Sequence, residues 1–313
     1  VEPSFRATIS DLLEKEEYTK ASGMVQLIPA SRYLLSPVLS GLVLSIAGIR
    51  SILFLDILTI LITLPVTYAV RKEMKGVCRP VEAKLGEDLK FGFHIIYDKK
   101  GLWLLVMLGI LVSFCLGTVQ TLMIPMLLPF GGESFAGFAT TVSACGMLVG
   151  GLILSRFSIK KDFSHILQAS LLGMGFFMAA FAWRENKIMV CFFGFCLFLS
   201  LPFANTAMDY LVRVTVPSVH QGKAWGLIGI ISQVGYVAAY ALTGVLVDFI
   251  INPFMQKESG IARAVLALIG RGEGRSAALM IILAGAFLMI IALTLPCRNE
   301  IRKLEEEHVL DAA

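Results

Sequence analysis

RKEMKGVCRPVEAKLGEDLKFGFHIIYDKK, from Arg71 to Lys100, is the longest polar interruption in an otherwise apolar chain of 313 residues. It carries eight of the 27 lysines and arginines: Arg71, Lys72, Lys75, Arg79, Lys84, Lys90, Lys99 and Lys100. Two long apolar runs precede it, near 23–47 and 52–70. Six follow it, near 102–128, 135–155, 163–183, 188–212, 224–251 and 277–295. Runs of about 18 or more apolar residues read as membrane spans. Residues are 57% hydrophobic and only 16% charged, with a mean hydropathy of +0.78, against roughly 25% charged in soluble domains. The expected class is an all-α polytopic membrane protein with about eight transmembrane helices.

Within the polar stretch, Leu85, Leu89, Phe93 and Ile96 recur at helical spacing. They predict an amphipathic helix lying on the membrane surface or against the bundle. A second polar stretch, 252–276, holds an apolar stripe of Ile261, Val265, Leu268 and Ile269 with Gly270 as its stop, which reads as a short interfacial helix. The tail, 298–313, is charged and helix-prone.

Basic residues divide unevenly between alternate loops. One side, holding 1–21, 71–100, 156–161, 213–223 and the tail, has 19 lysines and arginines; the other has seven, and Arg32 is left inside a span. The positive-inside rule therefore expects both ends of this sequence, and the Arg71–Lys100 stretch, in the cytoplasm. The net charge of +4 is accounted for by these loops and gives no reason to expect a nucleic-acid partner. The six cysteines, Cys78, Cys115, Cys145, Cys191, Cys196 and Cys297, form no CxxC pair. They read as packing residues rather than metal ligands or disulfides, and no cofactor or metal is expected. No HExxH or GxSxG motif occurs, so an enzyme is not expected.

Two segments carry motif-like spacing. In the first span, Arg32-Tyr33-Leu34-Leu35-Ser36-Pro37-Val38-Leu39-Ser40-Gly41 combines small residues, which admit a close helix neighbour, with a proline that bends the backbone. A generic kinked packing helix would have the same residues. At the end of the fourth span stands Gly151-Leu152-Ile153-Leu154-Ser155-Arg156-Phe157-Ser158-Ile159-Lys160-Lys161, which simple positive-inside anchoring would also explain.

The first segment resembles the antiporter motif of the major facilitator superfamily, G-P-x-x-G-G, through Ser36, Pro37, Ser40 and Gly41, with serines standing for two glycines. The second resembles the superfamily's loop signature G-x-L-a-D-R-x-G-R-K through Gly151, Leu152, Arg156, Lys160 and Lys161; Ser155 replaces the acid and Ser158 the second glycine. The polar stretch 9–22 and the segments 244–253 and 270–275 resemble loops of the macrolide-efflux-like branch. Both motifs fall in register only if the first span is helix five of twelve. The resemblance thus implies a major facilitator fold lacking about its first four helices here. Residues 1–70 would be the rest of an N-terminal half, 71–100 the central cytoplasmic loop, 101–297 a six-helix C-terminal half and 298–313 a cytoplasmic tail.

The resemblance implies a plasma-membrane secondary transporter that exports drug-like or hydrophobic small molecules by alternating access, with protons as a coupling ion. Gly151, Arg156, Lys160 and Lys161 would form a cytoplasmic latch. Uptake or lipid flipping by the same fold, and a non-transporting scaffold or sensor, stay open alternatives. Ionisable and polar residues at depth are the candidates for the substrate path. Arg32 lies about nine residues into its span, roughly 13 Å deep at 1.5 Å per residue. Gln120, Asn205 and Gln233 are the mid-depth polar residues, and Tyr236 and Tyr240 follow Gln233 on one helical face. That face could line a cavity or serve interhelical hydrogen bonding. Asp209 and Arg213, four apart at a helix end, read as a local ion pair.

Overall fold

The computed structural model describes residues 85–294, apart from 158, 160, 161, 258, 259 and 271. It also describes a helical stretch at 53–66 and a few single residues near 22–25, 50–51, 68 and 300–305. Arg32, Ser36, Pro37, Ser40 and Gly41, the basic cluster from Arg71 to Lys84, Lys160 and Lys161 lie outside the described residues.

Helices make up every regular element described. They are α1 (Leu53–Val66), α2 (Leu85–Asp98), α3 (Lys100–Arg156), α4 (Phe163–Trp183), α5 (Lys187–Thr215), α6 (Ser218–Leu246), α7 (Asn252–Gln256), α8 (Gly260–Ile269) and α9 (Arg275–Thr294). Among the described residues, five helical stretches are long and apolar enough to cross a membrane. The chain is an all-α polytopic membrane protein.

At 57 residues, α3 would extend about 86 Å if straight, far beyond a hydrocarbon core of about 30 Å. It is instead two arms that meet at Gly132, whose φ of 73° and ψ of 176° leave the helical region. The arms run in opposite directions along α5. On the first, Lys99 Nζ donates to the Thr215 carbonyl at 3.3 Å and Gly109 faces Met208. On the second, Ser143 meets Gly194, Gly146 meets Phe195 and Gly150 meets Leu199 and Pro202. Numbers rise together on the second arm and oppose each other on the first, so the chain reverses at Gly132.

The sequence suggests that Pro125 and Pro129 break this span. Both remain inside the helix. A proline removes one backbone hydrogen bond and kinks a helix, which membrane helices tolerate. Reversal needs a backbone conformation that only glycine reaches without strain.

With this reversal, six traverses alternate in direction: the two arms of α3, α4, α5, α6 with its extension, and α9. Phe163 stacks on Tyr210 with ring centroids 3.6 Å apart, while the ring of Phe181 lies against Gly194, so α4 and α5 are antiparallel. Along α4 and α9, Gln168 Nε2 donates to the Ala292 carbonyl at 3.3 Å, and Gly175 and Gly285 meet face to face. A methyl on either glycine would stand 2.6 Å from the other's carbonyl oxygen. Lipid gives helices no hydrophobic reason to associate, so backbone approach and dispersion contacts hold such crossings.

The core between them is filled by Leu105, Leu127, Leu167, Leu171, Met174, Met178, Phe181 and Leu211, all essentially inaccessible. α6 continues past its expected end at Ile251. A wide turn at Val247–Ile251, closed by Asn252 N–H donating to the Val247 carbonyl, carries it into α7, with Pro253 in α7's first turn. Such insertions accommodate a residue that cannot donate its own helical bond.

The two short helices also form. α2 packs on α6 through Gly92, which lies against the Lys223 carbonyl and Leu227, and through the fully buried Ile96. α8 ends at Gly270, whose φ is 92° and whose N–H returns to the Leu266 carbonyl at 3.0 Å. Its inward residues are Ala262 and Ile269, and Ile261 and Leu268 of the expected stripe face outward. An apolar residue set on nearly all sides left the inward face undetermined by periodicity.

Candidate functional site

The first arm of α3 and α6 run parallel and touch at Gly117. A methyl there would come within 2.7 Å of Ala239 Cβ and 3.3 Å of the Tyr236 ring. Buried Thr118 and Thr243 place their hydroxyls 3.4 Å apart across the same seam. At its edge the Tyr240 hydroxyl donates to Gln120 Oε1 at 2.8 Å. The Tyr236 and Tyr240 rings tilt against each other, with centroids 6.1 Å apart. Gln233 is exposed along the same helix, and Tyr240 is half-exposed at 52%. Of the two uses that the sequence left open, the interhelical hydrogen bond is present, and the polar–aromatic strip beside it reaches the outer face of the bundle.

Asn205 is half-buried on α5. It sits one turn before Met208, which with Ser232 faces Gly109.

At the Lys99 end of the bundle, Gly151 is buried and Arg156 is exposed on the last turn of α3. Ser155, standing where the loop signature has an acid, donates its hydroxyl to the Leu152 carbonyl at 2.8 Å, so it is engaged within its own helix. Asp162, directly before α4, is in the left-handed conformation and makes no side-chain cap, although aspartate is a favoured capping residue. The cap comes from the tail. The Glu305 carboxylate accepts from Phe163 N–H at 3.0 Å and Ser164 N–H at 3.2 Å. Ile301 and Leu304 are buried beside it, and a methyl on Gly101 would overlap the Leu304 side chain at 2.7 Å. Arg213 and Asp209 are both buried at this end of α5. The Arg213 guanidinium lies 5.7 Å from the Trp225 ring centre, and Gln221 donates to the Arg213 and Val216 carbonyls at 3.0 and 3.1 Å.

At the other end, Arg275 takes the role complementary to Glu305. Its Nη2 donates to the Ala182 and Trp183 carbonyls at 3.0 and 2.6 Å, and Glu185 Oε1 stands 3.9 Å from its Nε. Helix α4 is thus closed at its N-terminus by an anion and at its C-terminus by a cation, each matched to the helix dipole. Sequence reasoning assigned neither residue. Both sit in charged segments where several residues of the same type compete, so only the packing singles them out.

No family model matches the chain. Macrolide efflux protein A of Streptococcus pyogenes is 24% identical over 309 residues, covering 97% of this chain and 70% of the relative. The protein of the same name from Enterococcus faecalis is 24% identical over 239 residues, covering 72% of each. The chain is similar to macrolide efflux proteins. With the macrolide efflux proteins, the likeness runs through all six traverses and not through the loop motifs alone, since one match leaves only 3% of the chain outside it.

Proposed function

We propose that the protein is a major facilitator transporter that exports drug-like or hydrophobic small molecules, macrolides among them, by alternating access in exchange for protons. The observation that carries this reading is the strip formed by Gln233, Tyr236, Tyr240 and Gln120. It places two amides and two aromatic rings on a face that the six traverses leave partly uncovered. Amphipathic ligands are held by such a mixture, with rings supplying area and a few polar groups setting orientation. A second helical half facing this strip would enclose it as the central cavity, and rocking of the two halves would expose it to each side in turn. The similarity to macrolide efflux proteins supports the direction of transport and the substrate class.

The same reading puts the Lys99 end of the bundle in the cytoplasm of a plasma-membrane protein, in keeping with the uneven distribution of lysine and arginine. Arg156, with Lys160 and Lys161, then belongs to a cytoplasmic latch whose cations meet carboxylates and helix C-termini in one state and leave them in the other. Arg32 and the Ser36-Pro37 segment would serve the substrate path and the kinked packing of the opposite half.

Accumulation of a labelled macrolide in a susceptible bacterial host tests the proposal. Cells expressing the protein should hold less label than control cells, and a protonophore should erase the difference. Equal accumulation with and without the protein would overturn export. A difference that survives the protonophore would remove proton exchange alone.

A further inference from the structure

Where α2 meets α3, three aromatic side chains gather on the outside of the bundle. Phe93 and Tyr97 stack with ring centroids 5.9 Å apart. Trp103 meets both edge-on, at 5.7 and 5.8 Å. Phe93 is 45% and Tyr97 61% exposed, so the cluster is not core. The adjacent face of α2 turns inward, with Gly92 against Lys223 and Leu227 of α6 and Ile96 fully buried.

Two exposed lysines flank the cluster. Lys90 lies three residues before Phe93 on α2, and Lys100 three residues before Trp103 on α3; a spacing of three puts each on the helical face of its ring. Lys99 is not part of this set, because its ammonium turns inward to the Thr215 carbonyl. His94 and Asp98 face each other 3.9 Å apart on the neighbouring side of α2.

The position of the cluster along the membrane normal follows from α3. Its apolar traverse begins at Lys100, so Trp103 lies within the first turn of the span. That is the depth at which tryptophan and tyrosine concentrate in membrane proteins, with an apolar ring in the acyl boundary and a polar edge in the headgroups. Lysines immediately outside such a ring are placed to meet lipid phosphates. We infer that Phe93, Tyr97 and Trp103, with Lys90 and Lys100, form a docking site for anionic phospholipid headgroups that straps α2 to the membrane surface. The inference is independent of what the protein transports.

The full protein in nanodiscs of phosphatidylcholine, with or without phosphatidylglycerol, provides the test. Bromine is carried on acyl chains close to the headgroup of one lipid or the other. The emission difference between the wild type and Trp103→Phe isolates Trp103 from Trp183 and Trp225. That difference should be quenched by shallow bromine, and more strongly when phosphatidylglycerol carries it. Each lysine is expected to enrich anionic lipid about fivefold near the surface. The Lys90→Gln/Lys100→Gln variant should lose the preference for phosphatidylglycerol and keep the shallow quenching, with unchanged helicity as the check on folding. Equal quenching by the two lipids would overturn the headgroup site. Absence of quenching, with Trp103 instead cross-linking to a second copy or to another part of the protein, would overturn the membrane assignment altogether.

Discussion

Glu305 caps Phe163: a carboxylate from the tail accepts the first backbone N–H groups of α4, at 3.0 Å from Phe163 and 3.2 Å from Ser164. The tail is thereby tied to the chain just past the segment that carries the loop signature, seven residues after Arg156. Replacement by alanine removes both acceptors. Loss of a cap costs about 1 kcal/mol, so Glu305→Ala should lower the unfolding temperature in detergent by a few degrees. Glu305→Gln, which keeps an acceptor but loses the charge facing the helix dipole, should fall between alanine and wild type. Circular dichroism through a thermal ramp reads both.

Arg275 closes the other end of the same helix, and its loss should cost more. It is 2% exposed and donates to two carbonyls. Arg275→Met would leave the buried Ala182 carbonyl without its donor, at about 1–3 kcal/mol for an unsatisfied buried group, and would also remove the bond to the more exposed Trp183 carbonyl. A larger fall in unfolding temperature than for Glu305→Ala is expected. Arg275→Lys should recover part of it, since an ammonium replaces the forked guanidinium contact only in part.

Gly132 offers a comparison with few confounding contacts. A methyl on it would meet nothing within 4 Å, and the same is true at Gly137. Only Gly132 has a positive φ, 73°. Gly132→Ala should therefore destabilise by about 1–3 kcal/mol through backbone strain alone, whereas Gly137→Ala should be neutral or slightly stabilising through helix propensity. Equal behaviour of the two variants in thermal unfolding would contradict the reversal at Gly132.

The Tyr240–Gln120 hydrogen bond can be separated from the tyrosine ring. Tyr240→Phe and Gln120→Leu each remove the 2.8 Å bond, and the pair should be non-additive by about 0.5–1.5 kcal/mol in a double-mutant cycle of stability. On the proposed function, Tyr240→Ala should also reduce macrolide export several-fold beyond Tyr240→Phe, because it removes the ring that faces the strip. Identical export by Tyr240→Ala and Tyr240→Phe would exclude the ring from the substrate path.

Apolar run length was enough to locate the spans after Lys100, because a membrane helix must be long and apolar whatever it packs against. Gly270 was legible as a helix stop for a similar reason: the left-handed position after a helix favours glycine in any context. The end of α3's first arm was not, since Pro125 and Pro129 are the stronger breakers in sequence and yet stay helical. The candidate site was legible only as a set of residues. Gln233, Tyr236 and Tyr240 share a face by spacing, but Gln120 is 120 residues from Tyr240, and no periodicity reports a pair so far apart.

The sequence by itself determined that this protein is a helical membrane protein and where its described spans run. Those properties follow from local composition, since hydrocarbon rejects polar backbone and loop cations wherever they occur. Only the tertiary structure decided that Gln120 accepts from Tyr240, which carboxylate caps α4, and which arginine closes it. Those depend on groups brought within about 3 Å from distant parts of the chain, and many residues of the same type could have filled each place.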